Sequence, residues 1–554
     1  MGPRARPGCA GLVGSLLLAV AVTAPMLPAA ADEAQSTAGP LLYGSYLGSP
    51  ETDLFRSLLA TPDGGTAIAG TTFDPGYPEP VRWAPGSDPA PESHGFVVKL
   101  DAGGRQVMRA SLPIEWVHGL GAAPGGDLLI MGRAGPVLPT TPGVVQPNFG
   151  GGIADLAIIR VNGTSGMTEW ASYFGGNETR RGFEQPTGFA VSPAGDVFVA
   201  AHSDAPDFPT TGGPVNEAMK GGAHFPNGIG NFVARLSPAG DQVLYSALLD
   251  GIQVQGLAAD AASALYVAGQ ASFPVATQGA FQAGRPEGNE ENRTLALAKV
   301  NPSGTGVEYL SYLGGSTYED ACAVAVDARG ALVVGGSTSS ADVPRTQGPS
   351  LAAGERSVGF VSRLSPDGGR LEYSSLLSSR GYSCPYALAI GPGGDLFVAG
   401  VTQGADLPEV GPEGATDALC PVCSINDGFL VRIAASTYAV SFASRLGGSL
   451  NDAVLGMAVE PSGDVRLVVS TTSPDIPTVS PGRADAPGQG THSNGHYGDG
   501  FFMRVAAQPT PTGERPAAAM VDWIAYLTSM ALLAVAVLAT VVGLKLWRAG
   551  RPAR

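Results

Sequence analysis

Leu41-Leu42-Tyr43-Gly44-Ser45-Tyr46-Leu47-Gly48 has the pattern of a last strand, yet no companion strands precede it. Its counterparts, Trp170 to Gly176, Tyr309 to Gly315, Tyr373 to Ser379 and Phe442 to Gly448, each close a repeated unit. At the other end, the final unit stops at Phe501-Phe502-Met503-Arg504-Val505 without such a segment. An orphan strand at one end and a missing one at the other are complementary. If the first completes the last, the units form a closed circle, which removes the exposed sheet edges that invite aggregation.

Between these seams the chain repeats at roughly 60 to 70 residues, compatible with four strands and one long loop per unit. One landmark is a pair of short apolar runs around a tight turn, as in Ala323 to Val326 and Leu332 to Gly336 about Gly330, or Ala387 to Ile390 and Leu396 to Gly400 about Gly394. It recurs around Gly65, Gly126, Gly195, Ser263 and Gly463. A second landmark of the type Phe-Val-x-(Lys/Arg)-Leu stands at Phe96 to Leu100, Ala157 to Val161, Phe232 to Leu236, Leu297 to Val300 in shortened form, Phe360 to Leu364, Phe429 to Ile433 and Phe501 to Val505. Short apolar runs bounded by Gly, Pro, Asp and Ser, with no helical period, argue for antiparallel strands. Each unit offers four, a to d, with tight a–b and c–d turns. The predicted fold is all-β: a seven-bladed β-propeller of four-stranded antiparallel blades over 41–507, closed by the N-terminal strand. Small residues in the a runs, such as Gly256-Leu257-Ala258-Ala259, suit innermost strands crowded about an axis.

These units resemble the bacterial β-propeller repeat often called SBBP, whose unit runs Tyr-Ser-Thr-Tyr-Leu-Gly-Gly, then a hairpin, an Asp-Phe-Pro-Thr-Thr loop and Phe-Val-x-Lys-Leu. The loop element stands here as Asp207-Phe208-Pro209-Thr210-Thr211, Asp342-Val343-Pro344, Asp406-Leu407-Pro408 and Asp475-Ile476-Pro477. Thr72-Phe73-Asp74-Pro75, Arg133 to Thr141 and Ser272-Phe273-Pro274 keep only parts of it. The resemblance spans about residues 41 to 506 and implies a propeller outside the cytoplasm; it brings no catalytic residues.

The termini give an address. Arg4 and Arg6 precede an apolar run from Gly11 to Val22 and then Ala29-Ala30-Ala31, so 1–31 reads as a signal peptide, followed by a short segment 32–40. An N-terminal membrane anchor is the competing reading, but the run is short for a bilayer. Residues 508–519 carry Pro509, Pro511 and Pro516 and form a stiff linker. Segment 520–544, almost wholly apolar from Trp523, is long enough to span a membrane; a buried core helix is the alternative. Trp523, Tyr526 and Trp547 mark its boundaries, and Lys545, Arg548, Arg551 and Arg554 place the tail 545–554 in the cytoplasm. The net charge is −16, and the part between the basic ends is more acidic still, which excludes nucleic acid as a natural partner.

Candidate sites are few. The d–a and b–c connections emerge on one face, where the b–c loops are long, as between Ser203 and Gly230 or Ser473 and Gly498; long loops on a rigid scaffold commonly carry binding function. Glu51, Asp53, Glu178, Glu319, Asp320 and Asp452 decorate the d–a loops. Their oxygens suit calcium, and equally suit turn capping. His492 and His496 have the spacing of two ligands on a helix face, but lie in a loop sequence. The basic residue of strand c, present in every unit, faces Glu169, Glu308 and Glu372 across the c–d hairpin from Arg160, Lys299 and Arg363, so cross-strand ion pairs are expected. Cys420 and Cys423 suit a small disulfide loop. Cys322 and Cys384 hold matching places at the start of strand a in consecutive units and suit a bridge between blades. No nucleophile elbow, phosphate loop or dinucleotide fingerprint is present. The expected function is a membrane-anchored binding or scaffold module for a protein or glycan at the cell envelope; the alternative is a glycan hydrolase or lyase using carboxylates of the long-loop face.

Overall fold

The computed structural model describes residues 41–49, 51–78, 92–177, 184–205, 207–211, 230–249, 251–271, 276–286, 294–348, 357–403, 406–408, 410, 419–420, 426–478 and 499–506. The opening segment is β1 (Leu41–Leu47). Blade 1 comprises β2 (Asp53–Ala60), β3 (Thr66–Thr72), β4 (His94–Leu100) and β5 (Gln106–Leu112). Blade 2 comprises β6 (Trp116–Ala122), β7 (Leu128–Ala134), β8 (Asp155–Val161) and β9 (Thr168–Phe174). Blade 3 holds β10 (Gln185–Val191), β11 (Val197–Ser203), β12 (Gly230–Leu236) and β13 (Val243–Leu248). Blade 4 holds β14 (Ile252–Ala259), β15 (Leu265–Ala271), β16 (Thr294–Val300) and β17 (Val307–Leu313). Blade 5 is built from β18 (Glu319–Val326), β19 (Leu332–Thr338), β20 (Val358–Leu364) and β21 (Leu371–Leu376). Blade 6 is built from β22 (Ser383–Ile390), β23 (Leu396–Thr402), β24 (Asp427–Ile433) and β25 (Val440–Leu446). Blade 7 contains β26 (Asp452–Val459), β27 (Val465–Thr471) and β28 (Asp499–Val505), with β1 as its fourth strand.

The seven sheets are antiparallel throughout, and β1 pairs with β28 from Leu41 opposite Val505 to Leu47 opposite Gly500. The side chains explain this pairing. The Tyr46 ring meets Phe501 edge-on at 4.9 Å between centroids, and its hydroxyl donates to the Ser473 carbonyl at 2.7 Å. Tyr43 packs on Phe502. The middle strands of a blade are buried because both faces lie against neighbouring blades; every residue of β3, β4, β19, β20 and β23 is buried. The core therefore consists of inter-blade layers. One of them joins Val468 and Phe502 of blade 7 to Phe55, Ile68 and Phe96 of blade 1.

The a–b turns need a left-handed residue. Glycine supplies it at Gly195, Gly330, Gly394 and Gly463, and in blade 1 the residue is Gly64 rather than Gly65; Ser263 adopts it in blade 4. Strand c of blade 4 is not shortened: Thr294, Leu295 and Ala296 extend it to seven residues by pairing with Ala271, Gln270 and Gly269.

The Asp-x-Pro loop element has a structural task. Asp207, Asp342, Asp406 and Asp475 each accept the backbone N–H of the preceding d–a turn, from Asn177, Ser316, Ser379 and Ser449 at 2.7–2.9 Å. The following apolar residue, Phe208, Val343, Leu407 or Ile476, is buried beneath it. One loop thus ties its own blade to the turn that enters it.

Cys322 and Cys384 form the expected disulfide between the a strands of blades 5 and 6, with Cα atoms 6.5 Å apart. Cys420 is also disulfide-bonded, while Cys423 lies outside the described residues. Segments 1–31, 508–519, 520–544 and 545–554 lie outside them too; among the described residues no helix is long and apolar enough to cross a membrane.

Candidate functional site: the axial channel

Every a strand contains a β-bulge at the same place. The register skips one residue in each blade: Arg56, His118, Thr187, Gln255, Cys322, Tyr386 and Leu455. A bulged residue has no partner in the ladder and its side chain is re-aimed. Here all seven line one cavity on the axis, about 640 Å³ in volume. The residue two places on is apolar in every blade, Leu58, Leu120, Phe189, Leu257, Val324, Leu388 and Met457, and lines the same cavity. The channel thus has a largely polar ring stacked on an apolar one.

The small residue between the rings allows the blades to approach. A Cβ on Gly188 would stand 2.6 Å from Leu257, and one on Gly256 2.6 Å from Val324. The bulge leaves a mark in sequence: apolar residues three apart, as in Val117-His118-Gly119-Leu120 and Val254-Gln255-Gly256-Leu257, where an unbroken strand places them two apart. Sequence reading on the repeat alone passes over it.

The polar ring is chemically uneven. Gln255 is engaged, donating to Asp320 and accepting the Ala321 N–H at 3.0 Å. Tyr386 lies with its hydroxyl 3.5 Å from that of Tyr382. The Thr187 hydroxyl is buried without a hydrogen-bond partner. Among the described residues Arg56 has no hydrogen-bond or ion-pair partner; its side chain is exposed to the channel, yet the surrounding walls desolvate the guanidinium enough to hold it below the ordinary value, and the Tyr386 hydroxyl acts the other way. A second cavity of about 440 Å³ shares Arg56 and His118 with the first and reaches Trp116 and Arg133 between blades 1 and 2.

His118 is pushed down to about 3, first by burial and then by the positive charge of Arg56. Its ring is expected to show no titration above about pH 5 when followed by NMR. The unfolded ring takes its proton near 6.5, whereas the folded one resists until about 3. Stability contributed by the neutral ring is therefore complete above pH 6.5 and lost as pH falls below it. A folded-state titration midpoint near 6.5 would contradict this environment.

The sequence-derived candidates occupy other places. Asp53, Glu319 and Asp452 are buried at the starts of three different a strands. Asp53 accepts the Ser49 N–H, Asp452 accepts the Gly448 N–H at 2.8 Å and the Ser473 hydroxyl at 2.8 Å, and Glu319 accepts the Thr338 hydroxyl at 2.9 Å. Glu184 does the same for Gly176 in blade 3. These carboxylates hold the d–a turns. Burial raises the carboxyls of Glu319 and Asp452 above their ordinary values. Asp320 accepts from Gln255 and Gln270. Glu51 is exposed; Glu178, His492 and His496 lie outside the described residues. Among the described residues, no three His, Cys, Asp or Glu side chains are gathered as a cation site requires.

The strand-c bases form the expected pairs: Arg160 with Glu169 at 2.9 Å, Lys299 with Glu308 at 2.8 Å and Arg363 with Glu372 at 3.4 Å. A second set of partners comes from the a–b turn: Asp63 with Lys99, Asp127 with Arg160, Asp196 with Arg235, Asp327 with Arg363, Asp395 with Arg432 and Asp464 with Arg504. Its sequence signal is the Gly-Asp pair that opens strand b at Gly126-Asp127, Gly195-Asp196, Gly394-Asp395 and Gly463-Asp464. The same bases reach the next blade, since Lys99 donates to the Gly163 carbonyl at 3.1 Å, Arg160 to that of Pro238 at 3.3 Å and Arg235 to that of Pro302. These positive charges serve the ring.

No family model matches the chain, and no curated protein matches it. Among solved structures it is similar to U3-55K, at 11% identity over 84% of this chain and 100% of that one, with a TM-score of 0.41. It is also similar to the WD40 β-propeller domain of Doa1, at 10% identity over 78% and 94% with a TM-score of 0.35. A protein of unknown function from Dyadobacter fermentans is similar at 10% identity over 84% and 98%, with a TM-score of 0.38.

Proposed function

We propose that this chain is a binding or scaffold module displayed outside the cytoplasm, anchored by segment 520–544 and directed at a protein or glycan of the cell envelope. The observation that carries the binding part is the convergence of seven bulged side chains on a single axial cavity of about 640 Å³. Such a wall is fixed by a closed ring, so little order has to be imposed when a partner arrives. The Cys322–Cys384 bridge supports an oxidising compartment, where disulfides persist. The basic, apolar and small-residue succession before Ala31 supports export, and the apolar segment with its basic tail supports anchoring. The SBBP-like order of motifs agrees with both.

The test uses the full-length chain in detergent, incubated with purified cell-wall and capsular glycans and with solubilised envelope proteins. Saturable retention without fragments is the expected result. Release of glycan fragments would instead establish the hydrolase or lyase alternative, and neither retention nor release would overturn the binding reading.

A further inference from the structure

Among the described residues, none pairs with the one cation that lines the axial cavity. Lys99, Arg160, Arg235, Lys299, Arg363 and Arg432 all have carboxylate partners within 3.4 Å. Arg56 has none, although it stands in a protein of net charge −16 with carboxylates in abundance. The Arg56 side chain is exposed to the channel, so its guanidinium is open to an incoming anion, and a carboxylate placed on it forms a charge-assisted pair. The same cavity is lined by neutral groups able to donate, His118, the Tyr386 hydroxyl and the Thr187 hydroxyl, the last without a hydrogen-bond partner among the described residues. Asp320 sits close to the rim through its bond to Gln255 and adds negative charge there. One cation, neutral donors and a nearby carboxylate match a singly charged anion better than a doubly charged phosphate. Directly beneath, the apolar ring with Phe189 and Met457 offers no polar partner to a charged body but suits an apolar one. The volume falls within the roughly 300–1,000 Å³ of small-molecule sites.

We propose that the channel binds a monocarboxylate borne on a small apolar or aromatic body, with the carboxylate on the Arg56 guanidinium and the body against the apolar ring. The planar fork of Arg56 meets a carboxylate with two parallel N–H donors, and Thr187 supplies a further donor. This deepens the reading of the channel as a recognition site and is independent of export or anchoring.

Isothermal titration of the full-length chain with phenylacetate, phenylacetamide and inorganic phosphate tests it. Phenylacetate is expected to bind saturably, at least about tenfold more tightly than either of the others, because the charge-assisted pair is lost in the amide and the apolar contact is lost in phosphate. Arg56→Gln is expected to weaken phenylacetate about tenfold or more while leaving the thermal midpoint unchanged, and Arg56→Lys to recover part of the affinity. Equal binding of acid and amide, tighter binding of phosphate, or an unaffected Arg56→Gln variant would overturn the assignment. Loss of phenylacetate binding with envelope retention intact sinks this inference alone, whereas phenylacetate binding without envelope retention sinks only the proposed function.

Discussion

Deleting residues 41–47 from the otherwise complete chain is expected to lower stability by on the order of 5 kcal/mol and to increase self-association. Leu47 is buried in the layer between blades 7 and 1, and Leu41, Tyr43 and Tyr46 are half-buried against blade 7. At roughly 1.5–3 kcal/mol for each large side chain fully buried, a strand of this composition contributes that much. The second effect is geometric. Without β1, the ladder of β28 that now pairs from Gly500 to Val505 is bare, and its Phe501-Phe502-Met503 run becomes an apolar sheet edge. Exposed edges of this kind recruit other strands. Urea unfolding and size-exclusion chromatography with light scattering read both effects, and a synthetic peptide of residues 41–48 is expected to restore the mass of the intact protein. A deleted chain with the association state and urea midpoint of the intact protein would show that the seventh blade does not depend on its closing strand.

The double variant Cys322→Ser with Cys384→Ser is expected to lose about 4 kcal/mol under non-oxidisable, non-reducing conditions. The bridge spans 62 residues of sequence, and a cross-link over such a loop removes about that much conformational freedom from the unfolded chain in the chain-entropy description. Both cysteines lie on a strands, so the bridge fastens blade 5 to blade 6 at the channel wall itself. The difference from the wild-type chain should close in reductant, because reduction removes the same constraint from the wild type and affects the Cys420 bond in both. Equal urea midpoints of the two proteins without reductant would mean that the ring alone fixes these strands.

Much of the fold was legible because its determinants are local and repeated. Alternating apolar runs with a glycine at Gly195, Gly330, Gly394 or Gly463 announce an a–b hairpin wherever they occur, since only a left-handed residue permits the turn. The Leu41 to Gly48 segment announced closure because an isolated last strand has one missing place to fill. Strand c of blade 4 was misjudged in length: Thr294, Leu295 and Ala296 lack the Phe-Val signature, and their pairing with β15 is decided by the neighbouring strand.

The site was legible only in part. The acidic residues of the d–a loops drew attention as possible ligands, yet Asp53, Glu319 and Asp452 each direct one carboxylate oxygen to turn N–H groups or hydroxyls of their own blade entry. Buried polar groups take whatever donors the fold places beside them, and those donors come from turns remote in sequence. The a–b turn aspartates were overlooked for the same reason: Asp196 meets Arg235 at a separation of 39 residues.

The sequence by itself determined the strand set, the number of blades and the closure by the first strand, because each follows from a pattern that one unit repeats or visibly lacks; it offered Cys322 and Cys384 as a candidate bridge, and the structure made the pairing. Only the tertiary structure decided that Arg56, His118, Thr187 and Tyr386 share a cavity and that Arg56 stands there without a counter-charge among the described residues. These residues are separated by whole blades in sequence, and they meet because seven bulges at one register turn their side chains to a common axis, a relation that exists only once the ring has closed.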